Sequence, residues 1–263
     1  MKRAFVVLAL VVSLAASGVG LADELSSEKL ISKSWDLYRQ TKQEKESVKM
    51  VISYSDGRRE EKKLIRWTRF DPANEDCITI KFLEPPLDRG LGLLTLRHGR
   101  GGGNDEQYLK LPSLKKVRKI AAGEQAKYFA GTDLTNEDVR QLIGERFQNF
   151  TYTLAQKEGT TSMIAASPRD GVETGYGRRL LWVDDRFVIT KVEYFDKKGE
   201  LIKVQTNSSI TLSENGLWRA NHVEMDNLLL KRKTQIDVEE REIDKELSSG
   251  IFSKDFLESE RTW

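Results

Sequence analysis

Along this chain apolar residues first run together, then recur at helical spacing, and then alternate with polar ones. The unbroken run extends from Ala4 to Ala16, after Lys2 and Arg3, and small residues follow it to Gly20, Leu21 and Ala22. A charged start, an apolar stretch shorter than the roughly 20 residues of a bilayer span, and a small-x-small end predict a signal peptide over residues 1–22, cleaved after Ala22. Leu30, Ile31, Trp35 and Tyr38 recur at helical spacing behind the candidate caps Ser26 and Ser27. That spacing predicts an amphipathic helix over 26–41.

Period two takes over at Val48, Met50, Ile52 and Tyr54, and Asp56-Gly57 supplies a hairpin turn. Ile65 and Trp67 mark the return strand, and Ile78, Ile80 and Phe82 mark another that Pro85-Pro86 stops. Leu94 with Leu96 and Leu109 with Leu111 suggest two more, joined through Gly101-Gly102-Gly103-Asn104. The second half resumes with Phe150, Tyr152 and Leu154, then Val188, Thr190, Val192 and Tyr194, with turns at Lys198-Gly199 and Asn215-Gly216. Ile202 and Val204, Trp218, Val223 and Met225, and Thr234, Ile236 and Val238 complete the series. Sequential strands with short turns read as an antiparallel meander, about eleven or twelve strands by this rule.

Residues 112–146 break the alternation. They hold Pro112, a basic run from Lys115 to Lys119, and a capped helical stretch, Thr135 and Asp138 before Val139, Leu142 and Ile143. A curved sheet must cover its concave apolar face, and the two non-alternating segments are the available covers. The expected fold is mainly β (α+β): a half-open antiparallel β-barrel of about 11 strands under a helical lid, one domain over 23–263.

Composition narrows the chemistry. The chain is 263 residues long, 38% hydrophobic and 32% charged, with 43 Lys+Arg against 41 Asp+Glu. Near neutrality gives no electrostatic footprint for nucleic acid. One cysteine, Cys77, excludes an intramolecular disulfide, and with His98 and His222 the only histidines, no metal or cofactor is expected. An export signal with a lone cysteine fits a bacterial periplasm. No catalytic residue is expected: Asp105, Glu106 and Asp133 are scattered carboxylates, Glu137 and Asp138 suit a helix start, and Ser113 lacks a nucleophile-elbow context. A transmembrane barrel is rejected because residues 231–245 carry charge on both parities.

Two stretches, Tyr108 to Ile120 (YLKLPSLKKVRKI) and Phe129 to Asp138 (FAGTDLTNED), go beyond pattern. Together with Phe82-Leu83-Glu84-Pro85-Pro86, the sequence resembles the periplasmic outer-membrane lipoprotein-sorting family, related to the carriers LolA and LolB. The resemblance implies a lid-covered apolar cavity that binds acyl chains of a lipid or acylated lipoprotein. It also implies a transporter partner of ABC or efflux type at the inner membrane and transient membrane contact. Inward parity makes Met50, Ile52, Tyr54, Trp67, Ile80 and Phe82 lining candidates. Leu94, Leu96, Leu109, Phe150 and Tyr152 join them, with Trp35 and Leu142 from the covers. Lys115, Lys116, Arg118 and Lys119 are candidates for a lipid headgroup or an acidic partner surface. The same alternation also builds a filled core, so a non-catalytic interaction domain is the alternative.

Overall fold

The structure is a computed structural model that describes residues 25–71, 75–98, 105–114 and 116–262. The expected signal peptide, the Gly101–Gly103 turn and Lys115 lie outside the described residues. Helix α1 (Ser27–Tyr38) starts where Ser26 Oγ accepts a hydrogen bond from the Lys29 amide, and it ends before the expected residue 41. Six strands follow: β1 (Gln43–Tyr54), β2 (Arg59–Arg69), β3 (Glu75–Glu84), β4 (Gly92–His98), β5 (Glu106–Lys110) and the two-residue β6 (Arg118–Lys119). A crossing segment carries α2 (Asn136–Arg140) and leads to β7 (Phe150–Glu158). Then come β8 (Thr161–Pro168), β9 (Arg178–Val183), β10 (Ile189–Phe195), β11 (Leu201–Leu212), β12 (Trp218–Asn227) and β13 (Arg232–Ile243). A short C-terminal helix, α3 (Lys254–Glu258), closes the described chain.

All thirteen strands form one open antiparallel sheet in the order β6-β5-β4-β3-β2-β1-β13-β12-β11-β10-β9-β8-β7. The chain starts at the centre, meanders out to β6, crosses to the far edge and meanders back until β13 pairs with β1. Gly57, at φ +87°, makes the β1–β2 turn. Gly216, at φ +85°, makes the β11–β12 turn and also lets α1 approach, since a Cβ there would lie 3.1 Å from Leu37.

The thirteen strands of the described residues exceed the expected eleven or twelve. Alternation passes over β6, β8 and β9, because β6 is only two basic residues, β8 buries only Ser162, Ile164 and Ala166, and Arg178 and Arg179 open β9.

Three apolar clusters hold the sheet. On the concave face, Val48, Met50, Leu64, Ile80, Phe82 and Leu93 pack against Ile120, Phe129, Leu134, Val139 and Ile143 of the crossing segment. Beside them, Ile31 and Leu37 of α1 pack on Ile164, Leu181, Ile189, Trp218 and Met225. The third cluster lies on the convex face, where Ile251, Phe252, Phe256 and Leu257 cover Trp67, Cys77, Leu94 and Tyr108.

This third layer corrects the parity reading. Trp67, Leu94 and Leu96 point away from the concave face, with Trp67 edge-on to Phe256 at 5.4 Å between ring centroids. In β2 the inward residues are Leu64 and Arg66, so the larger apolar side chain of the strand marks its outward face. Burial on both sides also explains why β3 is buried continuously from Asp76 to Phe82.

Candidate ligand site

The Phe129–Asp138 stretch is where the crossing segment is fastened to the sheet. Phe129 and Leu134 enter the concave cluster. Between them Asp133 accepts hydrogen bonds from Arg232 Nε (2.6 Å), Asn227 Nδ2 (3.0 Å) and Thr234 Oγ1 (2.7 Å). Thr135 caps α2 by accepting from the Asp138 amide at 3.1 Å, and the Asp138 carboxylate in turn accepts from the Thr135 amide at 2.7 Å. Asp138 also accepts from Tyr176 Oη at 2.7 Å and pairs with buried Lys203 of β11. Glu137 accepts from Thr174 Oγ1 at 2.6 Å and the Gly175 amide at 2.9 Å. The carboxylates that looked like helix-start charges are therefore also ties to the strands and loops beneath.

Arginines complete the attachment. Arg97 Nη1 of β4 donates to the carbonyl oxygens of Gly144 (2.6 Å) and Ile143 (3.3 Å), and Nη2 donates to that of Arg140 (3.3 Å). Arg39, just past α1, donates to Ile143 O at 3.2 Å and pairs with Asp76 at 2.6 Å. Helix ends leave such carbonyls without intrahelical partners, so a guanidinium is a fitting clamp. At the other cover, Arg219 donates to Tyr38 O at 2.6 Å and Trp218 Nε1 to Ser34 O at 3.0 Å.

Between α1, the α2 region and strands β9–β13 lies an inner cavity of about 110 Å³. Its apolar wall includes Trp35, Leu142, Leu181, Val192, Trp218 and Val223, and its polar wall includes Arg66, Arg179, Arg219 and Arg241. Each of these arginines has a buried carboxylate: Glu46 for Arg66 and Arg241, Glu44 for Arg219, Glu145 for Arg179. Burial opposes the charge on Glu46, but Arg66 and Arg241 outweigh it and hold the pKa down to about 2. At Glu44 burial prevails over Arg219 and the pKa is raised. These inward charges sit at the parity of Val48 and Met50, so alternation alone contained the signal.

A larger cleft of about 640 Å³ opens between the β5–β6 side and the start of β7, and its wall includes Arg97, Asp105, Lys119, Glu137, Arg146 and Phe150. Asp105 is paired with Arg97 and Arg146 there.

The sequence candidates thus divide. Trp35 and Leu142 line the inner cavity. Met50, Ile80, Phe82 and Leu109 lie together under the crossing segment. Ile52 is fully buried in β1 between Glu60 and Thr234. Tyr54, at the end of β1, donates to Glu60 at 2.8 Å beneath Arg58. Phe150 lies under Arg179 at the outer cleft, and Tyr152 packs on Phe147 and donates to Glu145 at 2.9 Å. Of the basic run, Arg118 pairs with Glu124 and Lys119 with Glu106, while Lys116 is exposed. Among the described residues no group of three or more His, Cys, Asp and Glu is arranged to hold a metal ion.

Comparisons place this architecture. A domain described as an outer membrane lipoprotein-sorting protein from Vibrio parahaemolyticus superposes with a TM-score of 0.80 at 20% identity, over 89% of this chain and 98% of that one. A DUF1329 family protein from Desulfovibrio piger gives 0.77 at 22% identity, over 86% and 98%. A LolA superfamily protein from Nitrosomonas europaea gives 0.67 at 17% identity, over 88% and 99%. No curated protein matches the sequence at a significant level. A family profile whose description reads "Uncharacterized protein" matches residues 74–259. The chain therefore belongs to that family, and its fold is the one shared by LolA-superfamily and lipoprotein-sorting domains.

Proposed function

We propose that this protein is a periplasmic carrier, exported by a cleaved signal over residues 1–22, that takes the acyl chains of a lipid or lipoprotein between its concave sheet and the segments covering it. The observation that carries this reading is the construction of the cover. α1 and the 120–143 segment lay apolar side chains on the concave face, yet are pinned largely by hydrogen bonds and ion pairs around an aromatic-lined cavity. An acyl chain entering there replaces one apolar surface by another, at about 0.8 kcal/mol per buried CH₂. Ligand pockets run from roughly 300 Å³ upward. The cavity of about 110 Å³ is smaller than that, so on this reading an acyl chain enters by lifting the cover. Delivery or receipt at an inner-membrane transporter of ABC or efflux type fits such a carrier, and no step in it requires catalysis.

The small cavity also favours one other reading, a periplasmic interaction domain with a filled core. Native mass spectrometry of residues 23–263, purified gently from a periplasmic extract and then extracted with solvent, separates the two. A lipid or acylated peptide released on denaturation is the result expected of a carrier. A protein that is empty and also takes up no fluorescent acyl probe is the result expected of the interaction domain.

A further inference from the structure

Exposed apolar side chains are unevenly distributed over this molecule. Among the described residues eleven large hydrophobic side chains are exposed, and six of them lie at the strand connections at one end of the sheet, the end where β1, β3, β5, β10 and β12 finish. The opposite end has Leu212 and Ile243 at its strand tips. The densest group is the β12–β13 hairpin tip, where Leu228, Leu229 and Leu230 are 42%, 59% and 45% exposed.

Hairpin tips ordinarily carry Gly, Asn or Asp, because the turn needs them and water surrounds them. Here the turn is built without help from the leucine side chains. Asn227, fully buried, accepts the Leu230 amide at 3.0 Å and is itself anchored on Asp133 and Tyr128. Lys231 takes the left-handed conformation at φ +49°. The three leucines are thus held outward on a braced turn.

The same end presents further leucines at neighbouring tips. Leu87, 87% exposed, crowns the β3–β4 connection, Leu114 the β5–β6 connection, and Leu201 starts β11. Four strand spacings separate the β3–β4 and β12–β13 tips, roughly 19 Å along the sheet at ~4.8 Å per spacing. Lys116, Lys197, Lys198 and Lys231 are exposed on these tips. Of the acids there, Asp56, Glu84 and Asp88 pair with Arg58, Lys63 and Lys62, Asp196 accepts amides of its own turn, and Glu200 is exposed between Lys198 and Leu201. Leucines on separate convex tips, interleaved with lysines, match a broad planar surface with an apolar interior and an anionic face rather than a single groove.

We infer that this end of the sheet is a membrane-docking rim, with Leu228–Leu230 entering the headgroup boundary of an anionic bilayer and the rim lysines meeting its phosphates. The inference does not rest on the acyl-carrier reading, because docking needs no cargo.

Flotation with vesicles of phosphatidylethanolamine and a minor share of phosphatidylglycerol tests it. The unaltered protein is expected to float with the vesicles. The combined Leu228→Ser, Leu229→Ser and Leu230→Ser variant is expected to lose about tenfold or more of that binding. Leu212→Ser, at the opposite end, is expected to keep it. A separate Leu229→Trp variant is expected to shift its emission to shorter wavelength on adding vesicles. The inference is overturned if the unaltered protein stays unbound, if the triple variant floats equally well, or if the emission of the Leu229→Trp variant does not move. A dimer in lipid-free solution that the triple variant dissolves would overturn it in favour of self-association. A protein that floats but takes up no acyl probe keeps the docking rim and loses the carrier reading.

Discussion

Arg97 and Gly144 join the sheet to the end of the segment that covers it: the β4 guanidinium donates to the Gly144 carbonyl at 2.6 Å, with Ile143 and Arg140 carbonyls on the same group. Arg97 is buried, so these bonds are made away from competing water. Arg97→Ala is expected to lower stability by about 3 kcal/mol, since it removes charge-assisted bonds from a buried site. It is also expected to speed uptake of an acyl probe, because the cover is held less tightly. Denaturant melts give the first effect and stopped-flow fluorescence the second. A destabilised variant with unchanged uptake kinetics would show that Arg97 holds the fold without governing the cover.

The two faces of β2 and β3 make opposite predictions. Trp67→Ala empties a site against Phe256 on the convex face and is expected to cost about 3–5 kcal/mol while leaving acyl uptake per folded molecule unchanged. Phe82→Ala, on the concave face against Phe129, is expected to cost a similar amount and to alter uptake. Probe titrations at matched folded fraction compare them directly.

Glu46 sets an acid limit on stability. Its pKa is held at about 2 against an unfolded value near ~4.3, so the folded state binds its proton less readily than the unfolded chain. The resulting stabilisation is complete above roughly pH 5 and is lost as pH falls through about 2, with a size on the order of 3 kcal/mol. Glu46→Gln is expected to flatten stability against pH in the acid range and to leave Arg66 and Arg241 short of their shared carboxylate. Urea midpoints between pH 3 and pH 7 report both effects; an unchanged acid slope would refute the assignment.

Cys77 reports on the convex layer. Burial pushes its pKa up to about 12, although Arg69 opposes the shift. At pH 8 the folded thiol is expected to react with a thiol reagent on the order of 1,000-fold more slowly than a free cysteine. Phe252 lies under the same Arg69 that donates to Cys77 Sγ at 3.2 Å. Phe252→Ala is therefore expected to raise the labelling rate.

Much of the concave side was legible from residue order. The Ser26 cap, the Asp56-Gly57 and Asn215-Gly216 turns and the Thr135/Asp138 cap are local signals, and each forms as read. Met50, Ile80 and Phe82 share a face because period two holds through β1 and β3. What alternation does not encode is which face is which when both are apolar. Trp67 and Leu94 looked inward only because the last residues, Ile251 to Leu257, do not alternate and so gave no hint that they form a second layer. The inward ion pairs were legible only in part. Alternation puts Glu46 on the parity of Met50, but only strand pairing sets Arg66 opposite it.

Trp35 and Trp218 line the inner cavity, whereas Trp67 lies on the opposite face. Energy transfer from tryptophan to a dansyl-labelled fatty acid therefore tests most directly whether acyl chains enter under the cover. The account predicts saturable transfer at one probe per protein, strongly reduced in Trp35→Phe and Trp218→Phe, retained in Trp67→Phe, and abolished when Val223→Trp fills the cavity. Absence of saturable transfer to the unaltered protein, or binding unchanged by Val223→Trp, would contradict it.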